Sequence, residues 1–285
     1  MPTSVQTLPQ DLSSFLSKNK LFVHDYYAAT ACNRNKINLK LNVFSFLVDG
    51  TKEIIHFNNN KRIDNTQFLL IKSGNCLMTE NLSEKQNYRS ILLFFDDETL
   101  QKLINKHHIN TRQHANTHTD EGFLVFDYDA YIKNFVQTLL QLKNTPNALQ
   151  ETLFETKLEE IMLYLIGKQG SNFLNNFAKN NQNQQHLNFK KNIEQNINNK
   201  LHVEDLAFLC HMSLSTFKRQ FFKTYNHSPI KWFQEKRLEQ SALLLKTQQQ
   251  RPSDLYHDAG FENLSSFTQA FKHKFGTTPK KYQSQ

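Results

Sequence analysis

Ser215, Thr216, Lys218 and Arg219 flank Phe217 in one short stretch, and the chemistry that set can do is contact with a polyanion. Hydroxyls and an ammonium suit phosphate oxygens, and a guanidinium can bond the O6 and N7 of a guanine together. Fifty residues on, Leu264, Ser265, Thr268 and Gln269 surround Phe267 in a similar way. There the side chains offer an amide for adenine, an apolar surface for a thymine methyl, and two hydroxyls. Both sets lie inside a longer repeat. Phe217/Phe267, Phe221/Phe271, Tyr225/Phe275, Asn226/Gly276 and Pro229/Pro279 pair at an offset of 50, and Leu206/Leu255 at 49. A chain needs two copies of a small helical unit mainly when its target also repeats, and duplex DNA repeats its major groove every turn.

The elements that must hold these side chains are legible around them. Leu206, Ala207 and Leu209 give a first supporting helix its apolar side. Ser213 predicts the N-cap of the next helix, because its hydroxyl can accept from a free backbone N–H. Phe217 and Phe221 lie four apart and face inward, which turns Ser215, Thr216, Lys218 and Arg219 mostly outward. Asn226 and Gly276 stop the two reading helices, since Asn and Gly best tolerate a left-handed residue after a helix end. Ser228-Pro229 and Thr278-Pro279 start the helices that follow. Pro229 to Thr247 reads as one helix with a buried stripe of Ile230, Phe233, Leu238, Ala242 and Leu245. At 1.5 Å per residue it is ~28 Å long, close to the ~34–36 Å between successive major grooves on one face of B-DNA. Pro252 begins the second supporting helix, Gly260-Phe261 makes its turn, and Asn263 caps the second reading helix.

This region, about residues 186–285, resembles the AraC/XylS family of bacterial transcription regulators. The resemblance rests on Leu206-Ala207, Ser213 to Phe221, Ser228-Pro229, the run Arg237 to Leu245, and above all Gly260-Phe261, Phe267, Ala270-Phe271-Lys272, Phe275-Gly276 and Pro279. It implies two DNA-reading helices in adjacent major-groove segments, with Ser215, Lys218 and Arg219 in the first and Leu264, Ser265, Thr268 and Gln269 in the second. It also implies activation of transcription through RNA polymerase. Tyr256, Gln269 and Gln283 depart from the residues usual in the family, so the second unit keeps its scaffold better than its charge. Larger members carry a cupin-like β-barrel that often binds a small effector, followed by helices that dimerise.

The charge distribution agrees with a polyanion-binding half. Residues 184–285 hold 15 Lys+Arg against 8 Asp+Glu, whereas residues 1–183 hold 19 against 18. With 285 residues the chain is long enough for two domains. The expected fold is α+β: a cupin-like β-barrel with a helical hairpin over residues 1–175, a linker over 176–185, and an all-α double helix-turn-helix domain over 186–285. Strands are expected at Leu21–Tyr27, Leu39–Val48, Glu53–Phe57, Gln67–Lys72, Cys76–Glu80 and Tyr88–Phe95. Asp49-Gly50 predicts a hairpin turn, and Ser73-Gly74 another turn. Asp96 to His107 reads as a helix capped by Asp96, and the polar stretch to Glu121 as a loop. Ile132, Phe135, Val136, Leu139 and Leu140 then share one helical face, and Phe154, Leu158, Ile161, Met162 and Leu165 a second, with Lys143 to Pro146 between them. These stripes (helices 131–142 and 151–166) can pack on the β-domain, form a homodimer interface, or do both.

Other chemistry finds little support. Mean hydropathy is −0.62 and no apolar run approaches the ~20 residues of a membrane span. No signal peptide is visible over Met1 to Ser14, and Cys32, Cys76 and Cys210 share no close spacing, so free thiols in the cytoplasm are expected. His107, His108, His114 and His118 cluster, yet no Cys or carboxylate completes a metal set, and no cofactor is implied. No phosphate loop, nucleophile elbow or zinc-protease motif occurs, and His24 and His56 stand apart, so no catalytic residue is assigned. Three readings remain: a sequence-specific DNA-binding regulator; a ligand-binding or enzymatic β-domain with a structural helical tail; and a nonspecific architectural DNA binder. Steep salt dependence separates the first from the second, and preference among duplexes separates it from the third.

Overall fold

The computed structural model describes residues 5–12, 20–56, 59–110, 122–142, 147–178, 185–197, 199, 201–248 and 250–284. The chain divides into two compact units, Met1–His186 and Leu187–Gln285. Of the expected linker, residues 179–184 lie outside the described residues.

In the first unit, apolar runs such as Phe68–Ile71 and Ile91–Phe95 arise because their sheet is covered on both faces. The strands are β1 (Gln6–Leu8), β2 (Leu21–Ala28), β3 (Cys32–Leu39), β4 (Asn42–Asp49), β5 (Thr51–His56), β6 (Asn59–Ile63), β7 (Gln67–Ile71), β8 (Gly74–Asn81), β9 (Tyr88–Phe95) and β10 (Phe123–Asp127). They form two five-stranded sheets, ordered β1-β3-β8-β5-β6 and β10-β7-β4-β9-β2. Between the sheets, Phe22, Val43, Ile71 and Phe94 meet Ile37, Leu39, Ile54 and Met78. On the far face of the second sheet, Phe44, Phe46, Phe68, Ile91 and Leu93 pack under helices α1 (Asp97–Lys106), α2 (Ala130–Gln141) and α3 (Asn147–Gln169). The first sheet buries mainly its inner face, so β3 and β6 are polar at most other positions.

Several expectations change. The sheets do not close into a barrel: each strand order has two ends, and the architecture is an open sandwich with helices on one side. Asp49-Gly50 is not a hairpin, because β4 and β5 belong to different sheets; it is a corner between layers. Gly50 has φ +89°, and a Cβ there would meet the Asn81 carbonyl oxygen at 2.6 Å. The strand expected at Leu39–Val48 likewise splits at Lys40-Leu41 into β3 and β4, in different sheets. Strands β1, β6 and β10 and most of β3 lay outside the expected strands.

The helical part follows its apolar periodicity. Asp96 caps α1, its Oδ1 accepting from the Thr99 N–H at 2.8 Å. Both stripes, Ile132, Phe135, Val136 and Leu139 of α2 and Phe154, Leu158, Ile161, Met162 and Leu165 of α3, are buried in the chain's own core against the sheet. His107 pairs with Glu159, while His114, His118 and the break at 143–146 lie outside the described residues. Two short helical turns, Asn172–Leu174 and α4 (Asn175–Ala178), end this unit. Among the described residues no helix is long and apolar enough to cross a membrane.

Candidate nucleic-acid interface

The second unit is helical: α5 (Gln185–Gln195), α6 (Val203–Leu209), α7 (Leu214–Tyr225), α8 (Pro229–Thr247), α9 (Pro252–Leu255), α10 (Leu264–Phe275) and α11 (Pro279–Gln283). It has two small cores that share α8. Trp232 and Phe233, near the start of α8, join Phe189, Leu206, Phe217 and Phe221. Leu238, Ala242 and Leu245, further along, join Leu255, Ala259, Phe267 and Phe271. One helix is therefore the spine of both copies. Its buried stripe differs from the expected one: Ile230 is 70% exposed, and Trp232 packs on Phe221 and Tyr225 instead.

Local chemistry sets each reading helix. The Ser213 hydroxyl accepts from the Thr216 N–H at 3.2 Å, and Asn263 Oδ1 from the Ser266 N–H at 2.8 Å. Each pairing satisfies one orphan donor of a first helical turn. Phe217 and Phe221, like Phe267 and Phe271, are fully buried, which fixes the rotation of α7 and α10 about their axes. Asn226 and Gly276 close them in the left-handed conformation, at φ +55° and +74°. Ser228 and Thr278 occupy N-cap positions before proline, but their side chains make no capping hydrogen bond.

The turns before the reading helices are built differently. Gly260 has φ +83°, and a Cβ there would stand 3.3 Å from Cζ of Arg237, so the α8 guanidinium lies against this turn. Burial lowers the Arg237 pKa. In the first copy, His211 takes the left-handed conformation at φ +54°. The second supporting helix, α9, is a single four-residue turn, shorter than the seven-residue α6. Lys274 of α10 pairs with Glu239 of α8 at 3.0 Å and with Glu235 at 3.8 Å, tying the second reading helix to the spine.

These constraints leave Ser215, Lys218 and Arg219 exposed together on α7. Among the described residues neither Lys218 nor Arg219 has an acidic partner. Thr216 is half-buried, and its Oγ1 accepts from the Ser213 hydroxyl at 2.9 Å, so it belongs to the cap more than to the outward face. On α10, Leu264, Ser265 and Gln269 are exposed and Thr268 is half-buried. Sequence reasoning missed Phe222, which is 58% exposed and follows Ser215, Lys218 and Arg219 at helical spacing. The signal was present: adjacent Phe221 and Phe222 are about 100° apart around a helix and cannot both point inward. Its counterpart in the second copy is the exposed Lys272.

Comparison with known proteins gives this geometry a context. Residues 206–285 match a helix-turn-helix domain model, and residues 42–177 match the ExsA N-terminal regulatory domain. The virulence regulon transcriptional activator VirF of Yersinia enterocolitica is 28% identical over 162 residues, 56% of this chain and 59% of its own. The regulator ExsA of Pseudomonas aeruginosa is 31% identical over 124 residues, 43% of this chain and 44% of its own. The alignments thus span less than two thirds of either relative. The crystal structure of apo ToxT from Vibrio cholerae aligns over 93% of this chain and 97% of its own, with TM-score 0.44 and 13% identity. The repeat defines a helix-turn-helix protein whose α7 and α10 share one spine. With both segments matched, the chain belongs to the AraC/XylS family of transcription regulators.

Proposed function

We propose that the protein is a sequence-specific DNA-binding regulator whose α7 and α10 enter two adjacent major-groove segments. The observation that carries this reading is the shared spine. One 19-residue helix supplies both small cores and so holds two outward-facing helices in fixed relation. Ser215, Lys218, Arg219 and Phe222 meet the first segment; Leu264, Ser265, Thr268 and Gln269 meet the second. Thr216 acts through the cap. The name of VirF as an activator supports activation here, in which the bound protein recruits RNA polymerase. The first unit, residues 1–175 by the sequence reading, regulates this activity by holding a small molecule between its sheets.

Selection of duplexes from a random pool by the full chain tests the reading. Two groups of preferred bases about ten base pairs apart are expected, with affinity that falls steeply as salt rises. Equal affinity for selected and random duplexes would identify an architectural binder instead. Absent or salt-insensitive binding would refute DNA reading and favour a β-domain with a structural tail.

A further inference from the structure

We infer that the space between the two sheets binds a slender, uncharged aliphatic molecule by a hydrogen-bond acceptor seated on the Lys52 ammonium. The inference rests on the reading of the first unit as a regulatory, ligand-holding one and names the chemistry of its ligand.

The space measures about 530 Å³ counted out through its open mouth and between the side chains that line it, so its interior is narrow. Most of its wall is aliphatic or aromatic, including Leu8, Ile37, Val43, Ile71, Leu92 and Phe94. Into this wall the register of the first sheet sets a charged pair. Lys52 of β5 and Glu80 of β8 are direct cross-strand partners, and their side chains are 3% and 9% exposed. Both line the cavity, together with Ser45 and Tyr26.

The two charges are not equally provided for. Glu80 accepts from the Tyr26 hydroxyl at 3.1 Å and faces the Cys32 thiol at 3.9 Å. The Lys52 ammonium has three N–H donors. Among the described residues it reaches one acceptor at hydrogen-bond distance, the Ser45 hydroxyl at 3.1 Å; it stands 3.6 Å from Glu80 Oε1 and 5.8 Å from the centre of the Tyr88 ring. A buried ammonium short of acceptors is costly unless something completes its shell. A sandwich that only had to pack would be as well served by apolar residues at both positions of the pair. The spare hydrogen-bonding capacity at the cavity wall is thus of the donor kind, and it calls for an acceptor on the ligand.

Charge balance decides what kind of acceptor. Lys52 and Glu80 together are neutral, so a carboxylate seated on the ammonium would also face the Glu80 carboxylate at short range in a poorly screened interior. A carbonyl of an amide, ketone or ester meets the same donor without that repulsion. An aliphatic chain satisfies the remaining wall.

Calorimetric titration of the full chain with hexanamide, octanamide and decanamide, and with the matching carboxylates, tests the inference. At least one amide is expected to bind, at least tenfold more tightly than its carboxylate. Lys52→Met alone strands a buried carboxylate, so Lys52→Met/Glu80→Gln is made beside it; amide binding should fall at least tenfold in the double variant. Val43→Phe, which fills the cavity from its apolar side, should abolish it. Circular dichroism confirms that each variant is folded. Binding of none of the amides, equal or tighter binding of the carboxylates, or full amide binding by the double variant each overturns the inference. DNA affinity is measured on the same samples. If DNA binding persists while no amide binds, the ligand inference alone fails; if DNA binding is absent from the outset, the reading of the second unit fails on its own.

Discussion

Replacing Arg219 with alanine should weaken binding to a selected duplex by about 5- to 150-fold, the equivalent of ~1–3 kcal/mol for a bidentate contact to guanine. The structure makes this loss assignable. Arg219 is exposed on α7 and, among the described residues, has no acidic partner, so its removal breaks no internal interaction. Stability should therefore stay within ~0.5 kcal/mol of the parent. The only tryptophan, Trp232, packs on Phe221 of α7 and reports unfolding of this unit by its fluorescence in urea. Gln269→Ala at the matching position should cost less. The exposed reading set of α10, Leu264, Ser265 and Gln269, carries no charge, and Lys274 is held by Glu239. Arg219→Lys separates the roles further: a lysine keeps a point charge and the salt slope but loses the planar fork and the preference for one base. Gel-shift titrations at several salt concentrations measure all three. A larger loss from Gln269→Ala than from Arg219→Ala, with both proteins folded, would refute the unequal division of labour.

Two neighbouring phenylalanines should behave oppositely. Phe222→Ala should lower DNA affinity and leave the urea midpoint unchanged, whereas the fully buried Phe221→Ala should destabilise the unit by about 3–5 kcal/mol; matched midpoints for the two variants would contradict this. Gly50→Ala places a methyl 2.6 Å from a backbone oxygen at a left-handed φ and should destabilise the first unit by more than ~1 kcal/mol, read as a fall in its thermal midpoint. Burial pushes the Cys210 thiol up to about 12. Between its unfolded value, near 8.5, and that folded value, the unfolded state loses the proton first, so stability falls as pH rises. Cys210→Ala should flatten the decline of the Trp232 urea midpoint above pH 9, and an unchanged slope would exclude the thiol as its source.

The readability of each part of the sequence follows from what its signals describe. In the second unit they are local: Ser213 and Asn263 cap their own helices, Asn226 and Gly276 end them, and phenylalanines four apart fix which side faces in. Such signals state a conformation within a few residues, so most of the repeat could be read directly. Ile230 misled because an aliphatic residue one step from a stripe fits a periodicity of 3.6 almost as well as a member of it, and only Trp232 filling the core decides between them. In the first unit, Phe68–Ile71 and Ile91–Phe95 were legible because a sheet covered on both faces leaves an apolar run. β3 spends most of its outward positions on Asn, Arg and Lys, and its inward side is declared only by Ile37 and Leu39. Asp49-Gly50 states a tight turn, but turn chemistry does not specify which sheet receives the next strand.

The same distinction explains why the charged pair between the sheets emerges only in three dimensions, whereas the asymmetry of the repeat is legible in the sequence. Lys52 and Glu80 are 28 positions apart, and the residues around each read as an ordinary half-polar strand; the register of β5 against β8 makes them partners. In the repeat, the positions that set the backbone recur, whereas most of those that face outward have diverged: Ser215 recurs as Ser265, but Lys218 and Arg219 correspond to Thr268 and Gln269, and Phe222 to Lys272. The turn positions have diverged as well. His211 adopts the left-handed conformation against the usual preference of a side-chain-bearing residue, while Gly260 takes the same conformation at φ +83° with the Arg237 guanidinium across it. The second copy is tied to the spine by Lys274 and Glu239. On the proposed reading, the Lys274–Glu239 pair and the core that α10 shares with α8 hold the less charged face of α10 at a set distance from α7, so a helix with little charge of its own would still specify where along the duplex the other one sits.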